Sequence, residues 1–218
     1  MPATARAPLT YTIPKRGGGL RLMARLAPPD ARLWEGLARE AGPRVEDALG
    51  DEVLANRGPF RPALRRARGL AEDLARRSEA ILHTDVAAFY PSIDPSVLAG
   101  SLGGCGVEPR TARLAGSLSE AWSGHGVPGL PVGPAASAVL ANLVLAPVDA
   151  ALRAREIPFL RWVDDYLIGV AGDGPGAALE AIDGALARLG LRRHVAKTRL
   201  DESGTASRWL GEASVSRC

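Results

Sequence analysis

The sequence predicts an α+β fold, an antiparallel sheet backed by helices, and three observations carry that reading. From Ile81 onward the pattern runs strand, helices, hairpin, helix, strands, which suits helices gathered on one face of a sheet. A β-type run at 80–84 and short apolar runs on either side of Asp164-Asp165 have strand length, whereas the segments between them carry helical spacing. At 218 residues and 46% hydrophobic content the chain can bury a real core, as one domain or a compact pair of subdomains.

The elements follow in order. Residues 10–13 and 20–23 flank Pro14-Lys-Arg-Gly-Gly-Gly19 and predict a β-hairpin with a glycine-rich tip. The Gly-Lys-Ser/Thr ending of a phosphate loop is absent. Asp30 is placed to cap a helix over 31–41, and a second helix covers 61–77. After the strand at Ile81, Asp94-Pro95 reads as an N-cap with proline at the first helical position, and that helix ends near Gly103-Gly104. Residues 111–122 are helical and 123–131 form a loop. Pro134 opens a long helix to about Arg155, which Pro147 kinks or divides. Past the Asp-Asp hairpin, Leu179, Ile182, Leu186 and Leu189 mark a helix, and 191–200 and 207–215 close the chain as strands. No repeat of 20–50 residues is visible, and the first 80 residues form a separate lobe.

Charge and cysteine content narrow the function classes. Lys+Arg of 27 against Asp+Glu of 24 gives a formal charge of only +3, which permits a polyanionic partner without demanding one. The distribution says more: seven arginines fall between Arg57 and Arg77, and Arg61, Arg65, Arg66 and Arg68 can lie along phosphates or form a solvated helix face. Cys105 and Cys218 cannot build a disulfide framework, nor a zinc site with His83, His125 and His194. The N-terminus lacks an apolar signal core, and the apolar stretch at 135–146 falls short of the roughly 20 residues of a membrane span. A soluble, cytoplasmic protein without a membrane partner is expected.

The chemistry concentrates in the acids. Asp164 and Asp165 sit between apolar runs in Phe159-Leu-Arg-Trp-Val-Asp-Asp-Tyr-Leu-Ile168, where adjacent like charges repel unless a cation shares them. Asp85 ends a separate strand, and carboxylates from separate strands around a divalent ion form a nucleotidyl-transfer arrangement; an ordinary polar turn is the alternative. Lysine usage adds to this. Only Lys15 and Lys197 stand among the 27 basic residues, and lysine, unlike arginine, can release its proton when its surroundings shift its pKa.

In sequence order, Asp85-Val-Ala-Ala-Phe-Tyr-Pro-Ser-Ile93, Gly129-Leu-Pro-Val-Gly-Pro-Ala-Ala-Ser137 with Asn142, Trp162-Val-Asp-Asp165, Leu189-Gly-Leu with Ala196-Lys-Thr198, and Trp209-Leu-Gly211 resemble motifs A to E of the reverse transcriptase family. The likeness is to its bacterial branches and spans about residues 14–211. It implies fingers over 1–80, palm over 81–97 and 129–218, and a helical insertion over 98–128. It also implies two Mg²⁺ ions, with Mn²⁺ as a substitute, held by Asp85, Asp164, the Val86 carbonyl and, in a supporting role, Asp165. Lys197 then protonates the leaving pyrophosphate. Lys15 and Arg21 hold the triphosphate, and Val132 and Gly133 lie at the incoming nucleotide. Tyr90 excludes a 2′-hydroxyl, whereas Phe89 packs in the core. Trp209, Leu210 and Gly211 grip the primer. Val132 stands where many members have glutamine, which implies altered nucleotide handling because valine cannot hydrogen-bond through its side chain.

The resemblance implies an RNA-templated DNA polymerase that takes an RNA template, a DNA or RNA primer and deoxynucleoside triphosphates, in phage defence or another specialised system. A thumb is not recognisable after Gly211. A partner protein, self-association or a structured RNA would replace it, or the chain is cut before it. Template-independent or protein-primed DNA synthesis, RNA synthesis and a non-catalytic RNA-binding subunit are the alternatives.

Overall fold

The computed structural model describes residues 5–15, 18–56, 59–172 and 174–201. In chain order its elements are β1 (Leu9–Pro14), β2 (Leu20–Arg25), α1 (Pro28–Ala48), α2 (Phe60–Arg76), β3 (Ala80–Asp85), α3 (Phe89–Ser92), α4 (Pro95–Gly104), α5 (Pro109–Ser123), α6 (Ala135–Val144), α7 (Ala146–Arg153), β4 (Phe159–Trp162), β5 (Asp165–Val170), α8 (Gly176–Arg188) and β6 (Arg199–Asp201). The class is α+β, with antiparallel sheets. Among the described residues two compact units form: 5–48 with 88–144, and 49–87 with 145–201. The chain changes unit after Ala48, Ala87 and Val144.

In the first unit β1 and β2 pair antiparallel, with Leu9 opposite Arg25 and Pro14 opposite Leu20. Helix α1 is longer than expected and continues through Pro43. Trp34, Leu37, Ala38, Ala41 and Val45 carry one buried stripe past the proline, and that packing outweighs the helical bond proline removes. Asp30 does not cap this helix: it lies within its first turn, buried, and accepts the Arg6 amide N–H at 2.7 Å. Trp34 meets Trp122 edge-to-face with centroids 5.1 Å apart and donates its indole N–H to Ser137 at 3.0 Å, so α1, α5 and α6 share one core. Helix α4 starts as expected: Asp94 accepts the Ser96 N–H at 2.7 Å and Pro95 follows it.

The second unit is built on a four-stranded antiparallel sheet in the order β4-β5-β3-β6. Every residue of β3 is buried: the apolar Ala80, Ile81 and Leu82 and, after them, the polar His83, Thr84 and Asp85. Helix α2 lays Ala67, Ala71 and Leu74 against Ile81, Leu160, Trp162 and Leu167 on one face. Each large apolar side chain buried there contributes about 1.5–3 kcal/mol. On the other face Arg161 and Tyr166 meet Asp149 of α7, which packs against α8.

Two further expectations change. Residues 191–200 are not one strand: a single 3₁₀ turn at Val195–Lys197 precedes the short β6. The expected strand over 207–215 lies outside the described residues. Pro147 does divide the long helix, falling in the first turn of α7 after a break at Leu145. By length and composition Ala135–Arg153 is apolar enough to cross a membrane, yet more than half of it is buried, including Ser137, Asn142 and Asp149.

Candidate active site

The acids converge at one end of the second unit's sheet. In the β3–β5 ladder Asp85 lies directly opposite Asp165, so the two side chains leave the same face. Asp164 immediately precedes Asp165, in the two-residue turn that joins β4 to β5, where Trp162 pairs with Asp165. The amide of Val86 donates to the Asp164 carbonyl at 3.2 Å, which ties the turn to the end of β3. A third segment completes the cluster: His194 N–H donates to the Asp85 carbonyl at 2.7 Å and Ala87 N–H to the Arg192 carbonyl at 2.9 Å. This brings the 3₁₀ turn over the strand end, where the Lys197 ammonium lies 2.7 Å from Asp85 Oδ2.

Lys197 is itself held in place. Arg193 forks onto Asp183 at 2.9 and 3.0 Å and donates to Thr198 Oγ1 at 2.9 Å, and Thr198 Oγ1 shares a hydrogen bond with Thr84 Oγ1 at 2.9 Å.

The electrostatics mark an excess of negative charge. Burial, then the charges of Asp164 and Asp85, push the Asp165 carboxyl up to about 8, against the pull of Lys197, with a hydrogen bond to Asp85 adding to the rise. Burial draws Lys197 down, but its bond to Asp85 and the charges of Asp85, Asp165 and Asp164 outweigh that and raise it. Lys197 is therefore held protonated.

Hard oxygen donors crowded until one keeps a proton suit a divalent cation, which would displace that proton. A ready-made cage is not present: among the described residues no three His, Cys, Asp or Glu side chains are grouped to hold a metal ion. Asp85 is engaged by Lys197, and Asp164 stands on the turn while its two neighbours stand on the ladder.

The other predicted residues divide between the units. In the first, Leu130 N–H donates to the Tyr90 carbonyl at 2.9 Å, and Ala24 N–H to the Val132 carbonyl at 2.8 Å, so the loop at 129–133 joins Tyr90 and β2. Gly129 (φ +63°) is required there, because a Cβ would collide with the Tyr90 carbonyl oxygen. Gly133 (φ +129°) similarly lies against the Ala24 carbonyl. Phe89 is buried and Tyr90 half-buried, their rings 5.5 Å apart. Lys15, at the tip of the β1–β2 hairpin, is exposed, and Arg21 of β2 is half-buried opposite Ile13. In the second unit Arg61, Arg65, Arg66 and Arg68 are carried on α2 and all four are exposed, with Arg66 3.3 Å from Asp51. Trp209, Leu210 and Gly211 lie outside the described residues.

Sequence reading missed the residues behind the turn. Asp149, Arg161 and Tyr166 are fully buried and bonded to one another. The available signal was a single charge inside each of two apolar segments, Asp149 before Leu152 and Arg161 between Leu160 and Trp162.

No family model and no curated protein matches the chain. Among solved structures it is similar to telomerase from Candida albicans, determined in complex with a TWJ fragment of telomeric RNA, with a TM-score of 0.62 and 12% identity. The likeness covers 90% of this chain and 42% of that one, so this chain spans less than half the telomerase chain's length. A likeness at that identity shows a shared fold.

Proposed function

We propose that the chain is a reverse transcriptase-type nucleotidyltransferase that extends a primer 3′-hydroxyl with deoxynucleotides on an RNA template. One observation carries the reading: Asp85 and Asp165 face each other across the ladder beside Asp164, with Lys197 on Asp85. The fold shared with telomerase, a reverse transcriptase-related enzyme, supports it.

Asp85, Asp164 and Asp165, with the Val86 carbonyl, would hold two Mg²⁺ ions. Bound there, such ions lower the pKa of the attacking hydroxyl and stabilise the charge on the leaving pyrophosphate. Lys197, held protonated, supplies a proton to the leaving group once its bond to Asp85 is released. Lys15 and Arg21 bind the triphosphate as cationic donors. The loop at Val132-Gly133 lines the nucleotide beside Tyr90, whose ring excludes a 2′-hydroxyl. The arginines of α2 run along nucleic-acid phosphates, with Trp209, Leu210 and Gly211 gripping the primer.

The test is primer extension on an RNA template with deoxynucleotides and Mg²⁺. Wild-type extension that Asp164→Ala abolishes supports the assignment; robust extension by the alanine variant sinks it. Replacing the template with none, or deoxynucleotides with ribonucleotides, separates template-independent and RNA synthesis. Specific RNA binding without any extension would favour a non-catalytic subunit, a reading to which the Lys197–Asp85 ion pair lends some support.

A further inference from the structure

We infer that Arg161, clamped by Asp149 and Tyr166, is a positioning residue that sets the turn bearing Asp164; this deepens the nucleotidyl-transfer reading and rests on it. Arg161 donates through Nε to both Asp149 oxygens at 2.9 and 3.1 Å and through Nη2 to Oδ2 at 2.6 Å. Tyr166 adds its hydroxyl to Asp149 Oδ1 at 2.9 Å. The arginine backbone is held as well: its N–H donates to the Glu52 carbonyl at 2.9 Å, and its carbonyl accepts from Leu54 N–H at 3.0 Å. One arm then remains to reach forward, and Nη1 donates to the carbonyl of Val163 at 2.8 Å.

That last bond falls where the backbone needs it. Val163 has φ +59°, in the left-handed region that a β-branched residue adopts only under constraint. A two-residue hairpin turn with positive φ at its first residue alone favours glycine there, whereas this one has Val163 followed by Asp164. Local sequence therefore disfavours the turn, and the guanidinium bond to its first carbonyl, with the Val86 amide on its second, holds it closed. A buried ion pair contributes little net stability over well-packed apolar residues, so stability alone gives no reason for this clamp. Geometry does, because the same guanidinium that closes the pair fixes the residue before Asp164.

The pair can be removed without stranding a charge, which makes the inference testable. Arg161→Met combined with Asp149→Leu deletes both ions, and Arg161→Lys keeps the charge but cannot serve Asp149 and the Val163 carbonyl together. Three readouts are taken on each protein: cooperative melting, Mn²⁺ affinity by electron paramagnetic resonance, and hydrogen exchange at the Val86 amide. The expected result is a folded double variant whose Mn²⁺ binding is weaker by about tenfold or more, the usual effect of losing a group that orients a ligand. Its Val86 amide exchanges faster, and Arg161→Lys falls between it and wild type. A folded double variant with unchanged Mn²⁺ affinity and unchanged Val86 exchange overturns the inference. Wild-type protein that binds no Mn²⁺ defeats the functional reading instead, and the Val86 exchange rates then decide the positioning role alone.

Discussion

Asp165 carries the most informative charge state in the molecule. Its carboxyl is pushed up to about 8 by burial and by Asp164 and Asp85, against about 4 in an unfolded chain. Between those values the folded state binds the extra proton, so stability is greatest on the acid side and falls as pH rises from about 4 to about 8. Urea denaturation of metal-free protein across that range should record the decline, and Asp165→Asn should flatten it; an unchanged slope in the variant would place the titration elsewhere. Behind the turn, Asp149→Ala leaves Arg161 buried without its counter-ion, and the expected loss is about 3–5 kcal/mol. Tyr166→Phe removes one of several bonds to Asp149 and should cost only about 1–2 kcal/mol in the same measurement.

At the scale of elements, local signals were legible where they needed no distant partner. Asp94-Pro95 marked the start of α4 because a side-chain cap and a fixed proline φ act within a single turn. Pro147 marked the division between α6 and α7 for the same reason. Asp30 misled because its side chain found the Arg6 amide, 24 positions away, in place of its own helix. Helix α1 outran Gly42-Pro43 because its buried stripe continued to Val45, and tertiary packing overrode a local breaker. Helix α2 offers a test that is independent of catalysis. Changing Arg61, Arg65 and Arg68 together to glutamine should weaken RNA binding and lower the slope of log affinity against log salt by about two to three, roughly one for each phosphate no longer neutralised. An unaltered slope would reduce the arginine stripe to a solvated face. In the first unit, Gly129→Ala should destabilise the loop carrying Val132 and Gly133 by roughly 1–3 kcal/mol, the range for a residue forced into a disfavoured backbone region, as read by chemical denaturation.

For the whole molecule, the sheet couples charge to folding, and a cation held by its acids would join the same equilibrium. The acids come together only when β3 pairs with β5, so a cation that binds them adds to folding stability by mass action and must displace the Asp165 proton. Added Mg²⁺ should therefore raise the melting temperature more at pH 8 than at pH 5, and a shift independent of pH would argue against binding at Asp165. The sequence by itself determined the α+β class, the β3 strand, the cap at Asp94-Pro95 and the break at Pro147, each acting within a few residues. These depend on residue type and short spacing, which the chain carries before it folds. Only the tertiary structure decided that Lys197 sits on Asp85 in a 3₁₀ turn, that burial and the neighbouring acids raise the Asp165 carboxyl, and that Asp149, Arg161 and Tyr166 lie bonded together behind the turn. Each depends on groups that are distant in sequence yet buried together, where desolvation and neighbouring charge, rather than intrinsic preference, set the outcome.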